Sequence, residues 1–477
     1  MNLEDYFLEI RQNTIGYNHK FLTPYGYKRL YYFDYTASGR LYKPIEDKLI
    51  TDFGPYVGNT HSEENATGTA MTEAYKYAKD YIKRHVNADK DDVIITTGFG
   101  MTDAVNKLQR ILGLRSGRHD ERPVVFVTHM EHHSNHISWI ETDAEVVVIE
   151  PDEEGLVDLE RVEAMLQQYK DKRYKIGAFT ACSNVSGVQT PYYELSKLMH
   201  RYGGLCFIDF AASAPYVQID MHPKDLEMKL DGIYFSPHKF LGGPGTSGVL
   251  VFDSKIYQNN IPDCPGGGTV DWTNPWGERK YVDDLEARED GGTPGFLQAI
   301  KTALSIKLKE KMNTERMDQR DKDMIGILFN ELSDVEGLHI LAKNVIDRLG
   351  ILSFYAHGIH YSLFVNLLND LYGIQARSGC SCAGTYGHYL LHIDKSRSKE
   401  ITDLISTGDL SRKPGWVRIS VHPMMKNEEV YYASEAIKDI IKNIKIYEKD
   451  YIYNSKTNQF KHRNAKNYLN VNNMFSL

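Results

Sequence analysis

The chain contains few cysteines for its length, five among 477 residues. They are Cys182, Cys206, Cys264, Cys380 and Cys382, an odd number of residues that lie mostly far apart in sequence. Because a disulfide framework uses an even number of spaced cysteines, we expect reduced thiols. The pair Cys380 and Cys382 has poor geometry for a tetrahedral metal site on its own, and no partner set of histidines and cysteines is obvious. The sequence therefore predicts no metal.

Long apolar runs and an excess of positive charge are also absent. No apolar run approaches the ~20 residues that span a membrane, and Met1-Asn-Leu-Glu-Asp-Tyr6 lacks the basic start and apolar stretch of a signal peptide. A net charge of -8 gives no basic footprint for nucleic acid. We expect a cytoplasmic protein with neither a membrane nor a nucleic-acid partner. The chain has 477 residues, of which 42% are hydrophobic, so it can bury a substantial core and is long enough for two or more domains.

Short apolar runs alternate with helical patterns through the middle of the chain. Runs of this length, apolar nearly throughout, predict strands buried on both faces of a mainly parallel sheet in an α/β fold. The predicted strands are residues 93–97, 124–128, 146–150, 176–181, 206–209, 232–236 and 248–252. One covering helix is predicted from the helical spacing of Met71, Ala74, Tyr75, Ala78 and Ile82. Ligands bind such sheets beyond the carboxyl ends of the strands.

Two charged residues, Asp209 and Lys239, each follow a predicted strand. Lys239 lies in a turn before a glycine cluster, where a lysine that forms a Schiff base would be placed. Such an amine attacks an aldehyde only when it is deprotonated, so it needs a partly desolvated pocket. An unpaired carboxylate at Asp209 is costly at the end of a buried strand, so we expect a cationic partner. The pyridinium nitrogen of pyridoxal phosphate (PLP) is such a partner, and the two residues together predict this cofactor.

With these motifs, and with others from Tyr32-Phe-Asp-Tyr-Thr-Ala-Ser38 to about Pro423, the chain resembles the class V branch of the fold-type I PLP enzymes. It is most similar to the group II cysteine desulfurases and selenocysteine lyases. The resemblance implies a large domain with a mainly parallel seven-stranded sheet flanked by helices, and a smaller α+β C-terminal domain. We expect a PLP-binding domain at 31–295 and a small domain at 296–445 that opens with a charged amphipathic helix over 296–332. Residues 1–30 are expected to pack with the small domain, and 446–477 to form a peripheral tail.

The resemblance also assigns residues to the phosphate of PLP. The segment Thr97-Gly-Phe-Gly-Met-Thr-Asp103 passes from a strand into a helical run, and a helix N-terminus favours a phosphate. Met101 stands where the family more usually has threonine, so only its backbone N–H group is expected to bind the phosphate. Thr293 matches the residue that reaches the phosphate of the neighbouring subunit, which implies a homodimer. The implied phosphate ligands are Gly100, Met101, Thr102, Ser236, His238 and Thr293.

Two further residues match family positions beside the cofactor ring. His132 matches the histidine that stacks on the ring and passes protons, with His133 as the alternative. Asn184 matches the asparagine that binds the ring hydroxyl or the substrate carboxylate. The family usually has glutamine three residues after the ring aspartate, whereas this chain has Ala212. The contact to the ring oxygen is therefore lost or supplied otherwise, and the substrate or the reaction class is open to change.

Arg418, in Gly415-Trp-Val-Arg418, matches the arginine that binds the substrate α-carboxylate. A planar guanidinium group binds a carboxylate through two hydrogen bonds and fixes the substrate Cα–H bond for cleavage. Arg377 and His61 are further expected substrate contacts, the latter because Asn59-Thr-His61 resembles an Asn-x-His segment of the family.

The reaction depends on the segment Arg377-Ser-Gly-Cys-Ser-Cys382. Group II desulfurases have Arg-x-Gly-x-x-Cys here, which places Cys382 at the sulfur-accepting cysteine. The resemblance implies that Lys239 removes the α-proton of L-cysteine and that the Cys382 thiolate attacks its sulfur, giving alanine and an enzyme persulfide for a sulfur-acceptor protein. Cys380 resolves the persulfide, pairs with Cys382 or is incidental. The alternatives are aminotransfer, epimerisation or C–S lysis of another amino acid, or a non-catalytic sulfur carrier.

Overall fold

The computed structural model describes residues 2–117, 119–466 and 471–476 of the chain. The chain divides into two compact units. The larger unit consists of Ala37–Ser183 and Gln189–Glu315, and the smaller unit of Met1–Thr36, Asn184–Val188 and Arg316–Leu477. The domain boundaries expected from the sequence stay a prediction, and residues 467–470 and 477 of the expected tail lie outside the described residues.

A seven-stranded sheet forms the centre of the larger unit. Its strands, in spatial order, are Asp92–Thr97, Gly248–Asp253, Gly232–Phe235, Leu205–Asp209, Lys175–Thr180, Val124–Thr128 and Glu145–Ile149. Four of the six pairings are parallel, and Gly248–Asp253 is antiparallel to both of its neighbours. The prediction of a mainly parallel sheet is confirmed, and each predicted strand ends within one residue of the observed one.

Helices cover this sheet with their apolar faces. In Ala66–His85 the side chains of Met71, Tyr75, Ala78 and Ile82 are buried, as the helical spacing predicts. In Met101–Ile111 the buried residues Ala104, Val105 and Leu108 join the core with strand residues. The α-helices of the larger unit are Lys43–Lys48, Ala66–His85, Met101–Ile111, Ile137–Ile140, Leu159–Gln168, Tyr192–Arg201, Leu285–Arg288 and Phe296–Met312, and a separate hairpin pairs Val270–Thr273 with Arg279–Tyr281.

An antiparallel four-stranded sheet forms the centre of the smaller unit. Its strands, in spatial order, are Leu338–Ile340, Ile351–Ala356, Trp416–Ser420 and Arg377–Gly379. Smaller pairings join Lys20–Thr23 with Gly26–Arg29 and Tyr31–Tyr32 with Ile374–Gln375. The α-helices are Leu3–Tyr6, Leu8–Asn13, Thr314–Leu332, Tyr361–Tyr372, Gly384–Leu390, Lys395–Ser406, Asn427–Tyr447 and Val471–Met474.

The helix predicted over residues 296–332 is two helices, Phe296–Met312 and Thr314–Leu332. Asn313 separates them with a φ of 63°. Asparagine enters this left-handed region more readily than most residues because its short polar side chain forms local hydrogen bonds. The apolar periodicity continues across the break, which is why it predicts one helix.

Residues of the expected tail form a β-hairpin in the smaller unit, with strands Tyr451–Asn454 and Gln459–His462. The rings of Tyr453 and Phe460 pair across the two strands with their centroids 4.8 Å apart. The hydroxyl of the buried residue Tyr451 donates to Asp370 Oδ2 at 2.7 Å. This hairpin is therefore fastened to its unit. No helix among the described residues is both long and apolar enough to cross a bilayer.

Candidate functional site

Asp209 lies at the carboxyl end of the strand Leu205–Asp209, in the centre of the larger unit's sheet. The side chain is buried, and Oδ1 accepts a hydrogen bond from Ala211 N at 2.8 Å. Burial raises the pKa of Asp209 to about 6, while the Ala211 N–H group and the positive charge of Lys239 oppose this shift. The positive charge of Lys239 thus acts on the buried Asp209 carboxylate.

Lys239 ends a short 3₁₀ turn, Pro237–Lys239, that follows the strand Gly232–Phe235. Its N–H donates to Ser236 O at 3.0 Å, and the side chain is half-buried. Gly39 lies directly against this turn, since its N–H donates to His238 O at 2.9 Å and a Cβ there would lie 1.9 Å from Phe240 O. The close backbone approach holds the lysine turn in place from outside the sheet.

A small cradle surrounds the N-terminus of the helix Met101–Ile111. Met101 N donates to Ser236 Oγ at 2.8 Å, so Ser236 already occupies the N–H group that the sequence assigns to phosphate. A Cβ on Gly100 would lie 3.0 Å from Ser236 Oγ and 3.7 Å from His238 Nε2. Burial, and then the charge of Lys239, lower the pKa of His238 to about 4. Gly100, Met101, Ser236 and His238 are therefore brought together, and the glycine leaves space beside two polar side chains.

His132 begins the loop after the strand Val124–Thr128, and its Nδ1 accepts a hydrogen bond from Ser134 N at 3.1 Å. The hydroxyl of Thr102 lies 2.7 Å from Ser134 Oγ, which joins this loop to the cradle. Asn135 anchors the loop, accepting from Tyr234 Oη at 2.6 Å. The ring of the alternative, His133, lies 6.4 Å from that of His132.

Glu131, a buried carboxyl group beside His132, was not predicted from the sequence. It accepts hydrogen bonds from Thr128 N and Oγ1, Thr180 N and Asn135 Nδ2. Burial raises its pKa to about 8, these hydrogen bonds oppose the shift, and the charge of Asp209 adds to it. A signal for it was present, because a carboxyl group three residues after a strand as apolar as Val124–Thr128 is costly if it is buried there without partners.

Thr293 and His61 lie in a separate, exposed group of the larger unit. Thr293 Oγ1 donates to Asn59 Oδ1 at 3.2 Å, and His61 Nδ1 lies 3.0 Å from Thr60 Oγ1. Shortly before Thr293, the buried residue Glu289 forms an ion pair with Lys107 at 2.7 Å, and the buried residue Asp290 forms one with Lys79 at 3.3 Å. The loop is therefore firmly anchored while its threonine stays exposed.

In the smaller unit, Arg377 and Arg418 lie directly opposite each other on adjacent antiparallel strands. Two like charges in this arrangement repel, and Asp34 lies between them. Its Oδ2 is 3.0 Å from Arg377 Nη2, and its Oδ1 is 2.9 Å from Arg418 Nη2. Burial lowers the pKa of Arg418, whereas Asp34 outweighs burial and raises the pKa of Arg377. One net positive charge remains for an anionic ligand.

Arg418 and two residues near it each have a buried polar atom without a hydrogen-bond partner in the described part of the chain. These atoms are Arg418 Nε, Asn184 Oδ1 and Ser381 Oγ. The three residues are joined, since Arg418 Nη1 donates to Asn184 O at 2.9 Å and Asn184 Nδ2 donates to Ser381 O at 2.7 Å. Leaving such a group unpaired costs about 1–3 kcal/mol. The cluster thus has unused polar atoms and a positive charge suited to a carboxylate ligand.

Cys382 lies in an exposed, strained loop beside this cluster. Ser381 and Cys382 both have left-handed backbone conformations, with φ of 49° and 55°. Non-glycine residues rarely adopt this region, and each such residue costs roughly 1–2 kcal/mol. Cys382 lines the same cavity as Arg377, and its neighbour Ser381 is joined through Asn184 to Arg418. Cys380 is half-buried, and neither cysteine forms a disulfide.

We expect Asp209→Asn to stabilise the cofactor-free protein above about pH 6. The folded-state pKa of about 6 exceeds the ordinary 3.8, so the folded protein binds more protons than the unfolded chain between these values. Stability therefore falls as the pH rises through this window, by about 3 kcal/mol in total. Urea unfolding of the wild-type protein and the variant between about pH 4 and about pH 8 should show a higher free energy of unfolding for the variant at about pH 8. This difference should vanish below about pH 4. An equal gain at both ends would contradict the buried ionisation.

Comparisons with known proteins give consistent matches. The family model Aminotransferase class-V matches residues 31–432. Proteins named "Probable cysteine desulfurase" are each 28% identical to this chain, one from Halalkalibacterium halodurans over 74% of this chain and 84% of its own length, and one from Staphylococcus aureus over 75% and 84%.

Solved structures match over a larger share of the chain. A cysteine desulfurase from Thermococcus onnurineus has a TM-score of 0.75 at 22% identity, and the cysteine desulfurase CsdA from Escherichia coli has 0.72 at 20%. Both matches cover 91% of this chain and 98% of the other. At this identity they establish a shared fold.

Proposed function

Because the chain belongs to the class-V aminotransferase family, whose enzymes depend on PLP, we propose that it is a cysteine desulfurase that converts L-cysteine to L-alanine. The observation that carries the proposal is the exposed thiol of Cys382, held in a strained loop beside Arg377 and Arg418. The curated relatives named above support it.

The residues of the larger unit fit PLP. The space at Gly100, flanked by Ser236 and His238, suits a phosphate at the N-terminus of an 11-residue helix. The buried Asp209 suits the ring nitrogen, and the half-buried Lys239 near it suits covalent attachment. PLP, when bound, withdraws electrons from the substrate Cα. The family's ring-oxygen contact is missing at Ala212, but the buried hydroxyl of the next residue, Ser213, has no hydrogen-bond partner in the described ranges.

Each residue then has a separate task. Arg418, with Asn184, binds the substrate carboxylate and fixes the Cα–H bond for cleavage. Lys239 removes the α-proton and returns it to Cα after the Cβ–S bond has broken, and His132 passes protons beside the ring. The Cys382 thiolate attacks the substrate sulfur and forms an S–S bond while the Cβ–S bond breaks. The electron pair of the broken bond stays on Cβ and takes up a proton there. Alanine leaves, and one sulfur atom stays on Cys382 as a persulfide.

The active enzyme is proposed to be a homodimer that passes its sulfur to an acceptor, either a protein or a small thiol. Thr293 is exposed on a loop anchored by two buried acidic residues, which supports contact with a second subunit. Sedimentation of the active enzyme tests this, and an active monomer contradicts it. The cytoplasmic location stays a prediction.

Product analysis tests the proposed reaction. The PLP-loaded protein is mixed with L-cysteine and a reductant, and alanine, sulfide and pyruvate are measured together. We expect alanine and sulfide in equal amounts. Pyruvate with sulfide would show a C–S lyase instead, and no product would direct the search to other amino acids.

A further inference from the structure

A cavity of about 660 Å³ adjoins the cysteine loop within the smaller unit. One wall is the segment 374–382, which contains Arg377, Cys380 and Cys382. Another part of the lining is residues 457–461 of the C-terminal hairpin, beyond the 31–432 match to the family model. The volume lies in the range of small-molecule sites. The hairpin thus adds a wall that the family match does not include.

The hairpin wall is firmly attached to the helix Tyr361–Tyr372, which forms the floor. Phe460 N donates to Ser362 Oγ at 3.2 Å, and Asn366 Nδ2 donates to Phe460 O at 3.3 Å. On the rim, Tyr361 Oη donates to Lys413 O at 3.0 Å. These contacts involve both backbone and side chains, so the cavity is a built part of the unit.

The charged side chains that line the cavity are all positive. Arg377, Lys413 and Lys461 line it, and its described lining contains no carboxylate. Arg377 is paired with Asp34, whereas neither lysine forms an ion pair with a described carboxylate. The remaining lining is mainly amide and hydroxyl side chains, among them Asn366, Gln375 and Asn458. Such a surface favours a small, polar anion.

We propose that this cavity binds a small anionic thiol, which accepts the sulfur carried by Cys382. This inference rests on the proposed desulfurase function, since that reaction supplies the persulfide. The thiolate of the acceptor attacks the outer sulfur of the persulfide, forming a new S–S bond. The Cys382 S–S bond breaks, and its electron pair stays on the Cys382 thiolate. The acceptor leaves as a persulfide, so no external oxidant or reductant is consumed.

The test compares an anionic with a neutral acceptor on the PLP-loaded enzyme supplied with L-cysteine. Glutathione is the anionic probe and 2-mercaptoethanol the neutral one, and the readout is the ratio of their kcat/KM values for sulfur transfer. Lys413→Glu and Lys461→Glu are each expected to lower this ratio about tenfold, because reversing a charge replaces an attraction by a repulsion. Lys456→Glu is the matched control, since Lys456 is an exposed hairpin lysine outside the lining, and it should leave the ratio unchanged.

A ratio that stays the same in both lining variants would overturn the proposal and leave a protein acceptor as the explanation for the exposed thiol. Binding of S-methylglutathione, which has no free thiol, separates this failure from failure of the proposed function. We expect it to bind the wild-type enzyme, with affinity weakened about tenfold in each lining variant and reduced by salt. Binding without alanine formation would support the anion site and refute the desulfurase. Absence of binding would refute the anion site whatever the enzyme's activity.

Discussion

Lys239→Ala is expected to abolish turnover and the visible absorbance of the enzyme-bound cofactor. The variant loses the amine that the turn Pro237–Lys239 offers for covalent attachment near Asp209. It also loses the proposed base for the α-proton, and proton transfer by a positioned side chain alone contributes about 10²–10⁴-fold to rate. We therefore expect a fall in kcat of at least about 10³-fold. The measurements are the visible spectrum and the rate of alanine formation.

Two further variants make the Lys239 result specific. Lys239→Arg keeps the positive charge but has no nucleophilic amine, so it should fail in the same way. Lys255→Ala is the matched control, because Lys255 also lies in a 3₁₀ turn directly after a sheet strand, Ser254–Ile256 after Gly248–Asp253. It should keep both colour and turnover. Borohydride reduction that attached the cofactor to another lysine would contradict the assignment.

The central sheet was predictable because its signal is local. A strand such as Leu205–Asp209 is buried on both faces, so its residues are apolar almost without interruption and the strand can be identified without its partners. The helix break at Asn313 was not predictable in this way, because the apolar spacing continues through it and only the backbone conformation of one residue changes. The sequence signal is weaker still for the hairpin of Tyr451–Asn454 and Gln459–His462, since short two-stranded pairs depend on the surface against which they pack.

The candidate site shows the same distinction. Asp209 and Lys239 could be identified because each follows an apolar strand, and burial of a charge there is expensive. Asp34 was not assigned, although it lies in a segment that resembles the family, because its partners Arg377 and Arg418 are 343 and 384 positions away. Only the sheet register, which sets the two arginines opposite each other, shows why a carboxylate is needed between them. The strain at Ser381 and Cys382 likewise has no signal in the sequence.

Cys382→Ser is expected to lose desulfuration while it keeps the cofactor and its colour. The substitution preserves the size of the side chain in its left-handed position, so the strained loop should be retained. A serine hydroxyl is almost fully protonated at neutral pH and is a poor nucleophile toward sulfur, whereas a thiolate is the reactive form of cysteine. We expect alanine formation to fall by more than about 10²-fold, the lower range for loss of an essential catalytic group. Mass spectrometry should detect no added sulfur on the loop peptide.

Cys380→Ser is the matched control, two residues away in the same loop and half-buried rather than exposed. If Cys382 accepts the sulfur, this variant keeps alanine formation, and its persulfide is found on Cys382. If Cys380 resolves the persulfide, alanine still forms but release of sulfur to an added thiol slows. Loss of activity in Cys380→Ser with full activity in Cys382→Ser would move the nucleophile to Cys380. Full activity in the double variant would mean that neither thiol takes part. The proposed desulfurase reaction would then be refuted, and the enzyme would either leave the sulfur on its substrate or release it directly.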